Sequence, residues 1–162
     1  MKNSISDKIF LRKLNKEDKI IFINLRMTYI KETFENVNNL NEMEIENNLE
    51  QYFNEHIDKG DFIGLIGNYN ENIVSVAFLV IKYFPPNPSM MNGKTGTIFN
   101  VYTFPEYRNK GIAKRIVQEL INEAKLLDIK SIDLKSTEDG YNLYKNLGFL
   151  DDNNYKNMIL KL

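Results

Sequence analysis

The sequence predicts an α/β (α+β) fold: one domain over residues 1–162, with a single mixed, mostly antiparallel central sheet flanked by helices. Three observations predict it. Apolar runs of strand character and stripes of helical period follow one another in the order β-α-α-β-β-β-α-β-α-β. No segment repeats, and no linker divides the chain. A length of 162 residues with 43% hydrophobic and 27% charged side chains suits one globular domain with a real core.

Ile9–Leu14 alternates weakly and makes a first strand. Asn15, with Asp18 three residues on, forms an N-cap pair that opens a helix running to Thr33. Asn36–Asn41 is a polar break. Met43–Ile57 is a second helix, with Ile45, Leu49, Tyr52 and Phe53 on one side, ended by Gly60-Asp61. Phe62–Ile66 and Ile73–Phe84 are strands joined by the polar turn Asn68–Asn72. The second of them is apolar on both faces, which places it centrally in the sheet. Pro85, Pro86 and Pro88 deny Pro85–Gly93 a ladder and make it a loop. Thr95–Phe104 is the next strand, stopped by Pro105. Ile112, Ile116, Val117, Leu120, Ile121, Ala124 and Leu127 are the stripe of a long helix. Ser131–Lys135 is a short strand and Gly140–Leu147 a short helix, closed by Gly148 as C′ residue with Phe149 behind it. Closing strands are expected near Phe149–Asp152 and Asn157–Leu162.

Composition excludes several classes of function. A net charge of −1 argues against a general nucleic-acid binder. The absence of cysteine removes disulfides, thiolate zinc sites and any thiol nucleophile, and the single histidine, His56, removes a histidine metal cluster. No apolar run approaches the ~20 residues needed to cross a membrane, and Met1–Asp7 is polar rather than signal-like. The expectation is a cytoplasmic protein with no metal, no nucleic-acid partner and no membrane partner. A homodimer through the sheet edge or the C-terminal strands is an open arrangement. Charge is uneven: residues 14–60 carry ten acidic and five basic side chains, residues 82–130 four acidic and eight basic. The basic segment suits an anionic ligand. The acidic one either attracts a cationic substrate or is a set of solvated helix faces.

Arg108-Asn109-Lys110-Gly111-Ile112-Ala113 lies where the apolar strand turns into the long helix. Such a junction aims several backbone N–H groups one way, at the positive end of a helix dipole, and forms an anion site. Gly111 lets a ligand approach the backbone closely, and Arg108 and Lys110 add positive charge. Two look-alike motifs fail. Gly93-Lys94-Thr95 lacks the earlier glycine of a P-loop and precedes a strand. Asp151-Asp152-Asn153-Asn154 lacks the central glycine and distal glutamate of a calcium loop. Both are turns.

The stretch Asn100–Lys114, followed past one helix and one strand by Leu143-Tyr144-Lys145-Asn146-Leu147-Gly148-Phe149, resembles the GNAT superfamily of acyl-CoA-dependent N-acetyltransferases. The first match covers that family's pyrophosphate motif, the second its C-terminal motif. The resemblance implies a GNAT-like acyl-CoA N-acyltransferase fold and acetyl-CoA as cosubstrate. By it, the backbone of Val101, Tyr102 and Thr103 would hold the acetyl and pantetheine arm. Arg108, Asn109, Lys110, Gly111, Ile112 and Ala113 would hold the pyrophosphate, and Tyr144 would be the general acid. Asn109 stands where the family often has glycine, a mild departure because asparagine tolerates unusual φ/ψ. No contact transfers to Thr137-Glu138-Asp139-Gly140, where the family often has an asparagine.

The chemistry stands beside the resemblance. An amine attacking a thioester makes an oxyanion that strand N–H groups can stabilise, and expels a thiolate that a phenol can hydrogen-bond or protonate. A thiol pKa of about 8.5 against about 10 for tyrosine makes full proton transfer uphill by roughly 2 kcal/mol, so Tyr144 acts as a donor as much as an acid. A core tyrosine is the alternative for that position. The attacking amine must be neutral, and Glu32, Glu35, His56 or bulk water can take its proton. Without cysteine, transfer is expected to be direct, in a ternary complex with an amine-bearing acceptor. A catalytically silent CoA-binding sensor or interaction module is the alternative function. The acceptor itself is not encoded by any motif.

Overall fold

The computed structural model describes residues 5–34, 41–152 and 158–162. The predicted N-cap pair is a complete capping box: Asn15 Oδ1 accepts from the Glu17 N–H at 2.8 Å, and Asp18 Oδ2 accepts from the Asn15 N–H at 2.9 Å. Asp18 also takes a bidentate pair of hydrogen bonds from Arg12, at 2.7 and 2.8 Å, which ties the helix start to the first strand. The elements are β1 (Phe10–Lys13), α1 (Lys19–Thr33), α2 (Glu42–His56), β2 (Phe62–Tyr69), β3 (Asn72–Tyr83), β4 (Lys94–Thr103), α3 (Ile112–Leu126), β5 (Ser131–Leu134) and α4 (Glu138–Asn146).

The strands form one sheet in the order β1-β2-β3-β4-β5, antiparallel throughout except for the parallel pair β4–β5. The apolar strand expected at the centre is the middle strand, and Val74 through Leu79 have no exposure. Asn70 and Glu71 make the β2–β3 turn with φ of +47° and +68°, the positive values that match the twist of a tight hairpin. On one face α1 and α2 press Phe22, Leu25 and Phe53 onto Phe62, Ile66, Phe78 and Tyr102. On the other, α3 buries Ile116, Val117, Leu120 and Ala124 against Leu65, Leu79, Ile81 and Ile98, and Leu143 and Tyr144 of α4 pack beside them with its C-cap Leu147. Each fully buried large apolar side chain contributes roughly 1.5–3 kcal/mol.

Two irregularities of β4 position the site. Val76 pairs with Tyr102 and Phe78 with Phe99, so Ala77 faces two residues, Asn100 and Val101. This is a β-bulge, and Asn100 adopts φ +52°. The parallel pairing with β5 runs only from Thr95↔Ser131 to Ile98↔Leu134. Beyond Ile98, β4 is paired with β3 alone, and its other edge stands open.

The expected closing strands are not there. Residues 149–152 and 158–162 are not strand, and Asn157 lies outside the described residues. Local contacts account for the first: the Phe149 N–H bonds to Tyr144 O, closing α4, and the Asp151 carboxylate accepts from Tyr141 and Lys145 of the same helix. In the second, Met158, Ile159, Leu160 and Leu162 are exposed, so the apolar alternation there meets no partner. Among the described residues, no helix is long and apolar enough to cross a membrane.

Candidate active site

Local sequence dictates the shape of the loop between β4 and α3. Pro105 starts a short 3-10 turn through Tyr107, after which Asn109 and Gly111 take φ of +59° and +77°. Gly111 is the N-cap of α3 and offers no side chain to the helix. In α2 and α4 the caps Asn41 and Thr137 fill that role, and both helices carry acids in their first turn. The first turn of α3 holds no acid. Its leading N–H groups are left for a ligand, at the positive end of the dipole.

That helix end opens onto a cavity of about 670 Å³ bounded by the open edge of β4, by α1 and by α4. Of the residues singled out from sequence, Val101, Tyr102, Thr103, Arg108, Asn109, Gly111, Ile112, Ala113 and Tyr144 all line it. Ile112 does so from the core, at 1% exposure. Lys110 is not in the wall: its Nζ donates to Glu106 O at 2.5 Å and sits over the Tyr107 ring.

Arg108 reaches the cavity already engaged. Its Nε donates to Thr103 O at 2.8 Å and its NH2 to Glu32 Oε1 at 2.5 Å, while the Tyr102 hydroxyl donates to Glu32 Oε2 at 2.6 Å. The guanidinium also stacks over the Tyr102 ring. Glu32 thereby staples α1 to β4 and to the loop. The hydrogen bond from Tyr102, with Arg108 second, holds its carboxyl below the usual carboxylate range, which makes Glu32 a weak base. His56 lies elsewhere, at the end of α2, with Nδ1 2.9 Å from Asp61 and its ring stacked on Tyr52. Glu35 lies outside the described residues.

Tyr144 is half-buried, its ring edge-on to Phe149 at 5.8 Å between centroids. Burial, with a smaller push from Tyr29, raises its phenol above the ordinary tyrosine value. The proton therefore stays on the oxygen at neutral pH, ready to be donated. The same side chain borders a second cavity of about 450 Å³, which shares Tyr29, Thr33, Val101 and Thr137 with the first. Tyr144 thus stands in the wall common to two adjacent spaces.

Residues 26–149 match the model of the acetyltransferase (GNAT) family. The chain belongs to that family. As a GNAT protein it shares its chemistry at the coarse level of acyl transfer. A predicted acetyltransferase from Clostridium acetobutylicum, solved with acetyl-CoA, is 29% identical and superposes with a TM-score of 0.81, over 93% of this chain and 96% of that one. A GCN5-related N-acetyltransferase from Ralstonia eutropha JMP134, at 21% identity and a TM-score of 0.79 over 93% and 98% of the two chains, shares the fold. Among curated proteins, the uncharacterized N-acetyltransferase ycf52 of Pyropia yezoensis is 33% identical over 61 residues. That match spans 38% of this chain and 35% of the relative's length.

The cavity is also lined by residues that sequence reasoning passed over. Lys114, on the first turn of α3, lines the cavity where Lys110 does not. Thr137 and Gly140 do so as well, although no family contact was transferred to them. Tyr29 and Thr33 come from the opposite face, from α1. The Lys114 position was legible, since a helix opening at Ile112 puts residue 114 in its first turn. The α1 residues had no signal, because their approach depends on the packing of that helix across the sheet.

Proposed function

We propose that this chain transfers an acetyl group from acetyl-CoA to a primary amine of a small molecule, peptide or protein, by direct attack in a ternary complex. One observation carries this: a single cavity brings together the open edge of β4 at Val101–Thr103, the uncapped N-terminus of α3 and the protonated phenol of Tyr144. The Clostridium relative bound to acetyl-CoA supports the choice of donor. The pyrophosphate would sit on the leading N–H groups of α3, with Lys114 adding charge and Arg108, paired with Glu32, flanking it. The pantetheine arm would run along the unpaired edge of β4.

In the reaction the amine nitrogen attacks the thioester carbonyl carbon, and the resulting oxyanion collapses with cleavage of the carbon–sulfur bond. CoA leaves as a thiolate that accepts a hydrogen bond, and then a proton, from Tyr144 or from water. The proton lost by the amine passes to water, since Glu32 is committed to Tyr102 and Arg108. The test is thiol release from acetyl-CoA across a panel of amines. Amine-dependent thiol release supports the assignment. Saturable CoA binding with no productive acceptor favours the silent CoA-binding module.

A further inference from the structure

The second cavity contains a cation without a counter-ion. Arg26 of α1 reaches into its wall, where NH1 donates to Asn100 Oδ1 at 2.9 Å and the guanidinium lies over the rings of Tyr29 and Phe99, at 5.4 and 5.5 Å. Among the described residues it forms no ion pair. One of its five N–H donors serves Asn100 in that bond, which leaves several for a ligand. Asn100 is 2% exposed, and its Nδ2 is buried without a hydrogen-bond partner among the described residues. The residue also sits at φ +52° on the bulge, so an under-satisfied and strained pair is retained beside the cavity, a pattern associated with function.

The remaining charges reinforce this. Lys82 and Asp133 neutralise each other across 3.3 Å, and Asp133 also accepts from Thr97 at 2.7 Å. Arg26 and Lys135 remain as uncompensated positive charge on a wall that also holds Tyr144 and Val101. Arg26 is half-buried; a partly desolvated guanidinium without a counter-ion favours an anion beside it, and its planar fork matches an oxyanion bidentately. Among the described residues, several acidic side chains of the 14–60 segment are already paired, as in Lys19–Glu50, Lys31–Glu42 and Arg108–Glu32.

Building on the acetyl-transfer assignment, we infer that the acceptor amine also carries an anionic group, a carboxylate or a phosphate, which pairs with Arg26 in this cavity. The anion anchors the acceptor on α1 while its amine points toward the wall shared with the acyl-donor cavity. Arg26 is then a binding residue of the acceptor site.

Matched acceptors test it: an amino acid against its carboxamide, and an aminoalkyl phosphate against the corresponding amino alcohol, in the thiol-release assay with the full chain. The wild type is expected to favour the anionic member of at least one pair by about tenfold or more in kcat/KM, the size of a charge-assisted contact. The pair with the larger preference identifies the anion. Arg26→Gln should shrink that preference to about twofold, chiefly through KM of the anionic member, and Arg26→Lys should keep part of it. Equal handling of both members by the wild type would overturn the inference. So would an Arg26→Gln effect of one factor on both members, since that marks a purely structural role. CoA titration separates the two levels: no saturable binding sinks the acetyl-transfer assignment itself. If CoA binds without turnover, the same pairs titrated into the CoA complex decide the anion question by affinity alone.

Discussion

Replacing Tyr144 with phenylalanine removes one oxygen from the site and little else. The ring keeps its contacts with Phe149 and the α3–α4 cluster, and no hydrogen bond within the described residues uses the hydroxyl. A thermal melt should therefore be nearly unchanged. The magnitude of the kinetic effect follows from the environment. Because burial raises the Tyr144 pKa above its ordinary value, complete transfer to a thiolate of pKa about 8.5 is uphill by more than about 2 kcal/mol. The dominant role is then hydrogen-bond donation to a developing anion, worth about 1.5–3 kcal/mol. At 1.36 kcal/mol per factor of ten, kcat/KM should fall about 10- to 150-fold. The assay is thiol release with a productive amine, alongside a CoA titration that should give the wild-type dissociation constant. The phenol must be protonated to donate and its pKa is raised, so activity dependent on it should persist beyond pH 10 before declining. An unchanged kcat/KM, or a loss explained entirely by weaker CoA binding or a lowered Tm, would refute the reasoning.

Gly111→Ala should destabilise the fold by about 1–2 kcal/mol, the cost of a β-carbon in the left-handed region at φ +77°. Calorimetry should see a Tm drop of roughly 2–8 °C, together with weaker CoA binding. Leu120→Ala, at a site with no exposure, should cost about 2–5 kcal/mol in urea unfolding. Asp18→Asn should lower stability at pH 7 by about 2 kcal/mol, through the loss of the Arg12 pair and the weakening of the capping box. The Arg12 hydrogen bonds hold the Asp18 carboxyl below its ordinary value. Its stabilisation is thus present above the unfolded pKa of about 3.9 and lost as pH falls through the lower folded value. The gap between wild type and Asp18→Asn should close below pH 4. A gap that stays constant down to acid unfolding would assign the effect to something other than this carboxylate.

What could be read in the sequence was local. Asn15 and Asp18 announce their helix because a capping box spans three residues. Pro105, Gly111 and the Ile112–Leu127 stripe announce the strand–loop–helix because backbone restriction and periodicity act within a turn or two. Arg108 was legible as a cation by the phosphate loop, but its partner Glu32 lies 76 positions away, and no spacing rule joins them. Arg26 carried no signal at all, because its isolation is a property of what surrounds it in space. The Asn100 bulge is hidden for another reason: Ile98, Phe99, Val101 and Tyr102 are apolar on both faces, so a slipped phase leaves the pattern looking intact. The closing strands fail because apolar residues show that a segment can pair but not that an edge awaits it.

That bulge acts as a spatial frameshift. Side chains along a strand alternate faces with a period of two. Ile98 packs with the α3 cluster and Phe99 with the α1 cluster, yet Val101 returns to the α3 side and Tyr102 to the α1 side. One extra residue inverts the phase. Regular alternation through the same residues would turn Tyr102 away from Glu32 and Val101 away from Tyr144. The bulge thus keeps Val101 facing the α3 side and Tyr102 facing the α1 side with Asn100 present between Phe99 and Val101. Deleting Asn100 should therefore restore a regular ladder with Val101 and Tyr102 still on their present faces.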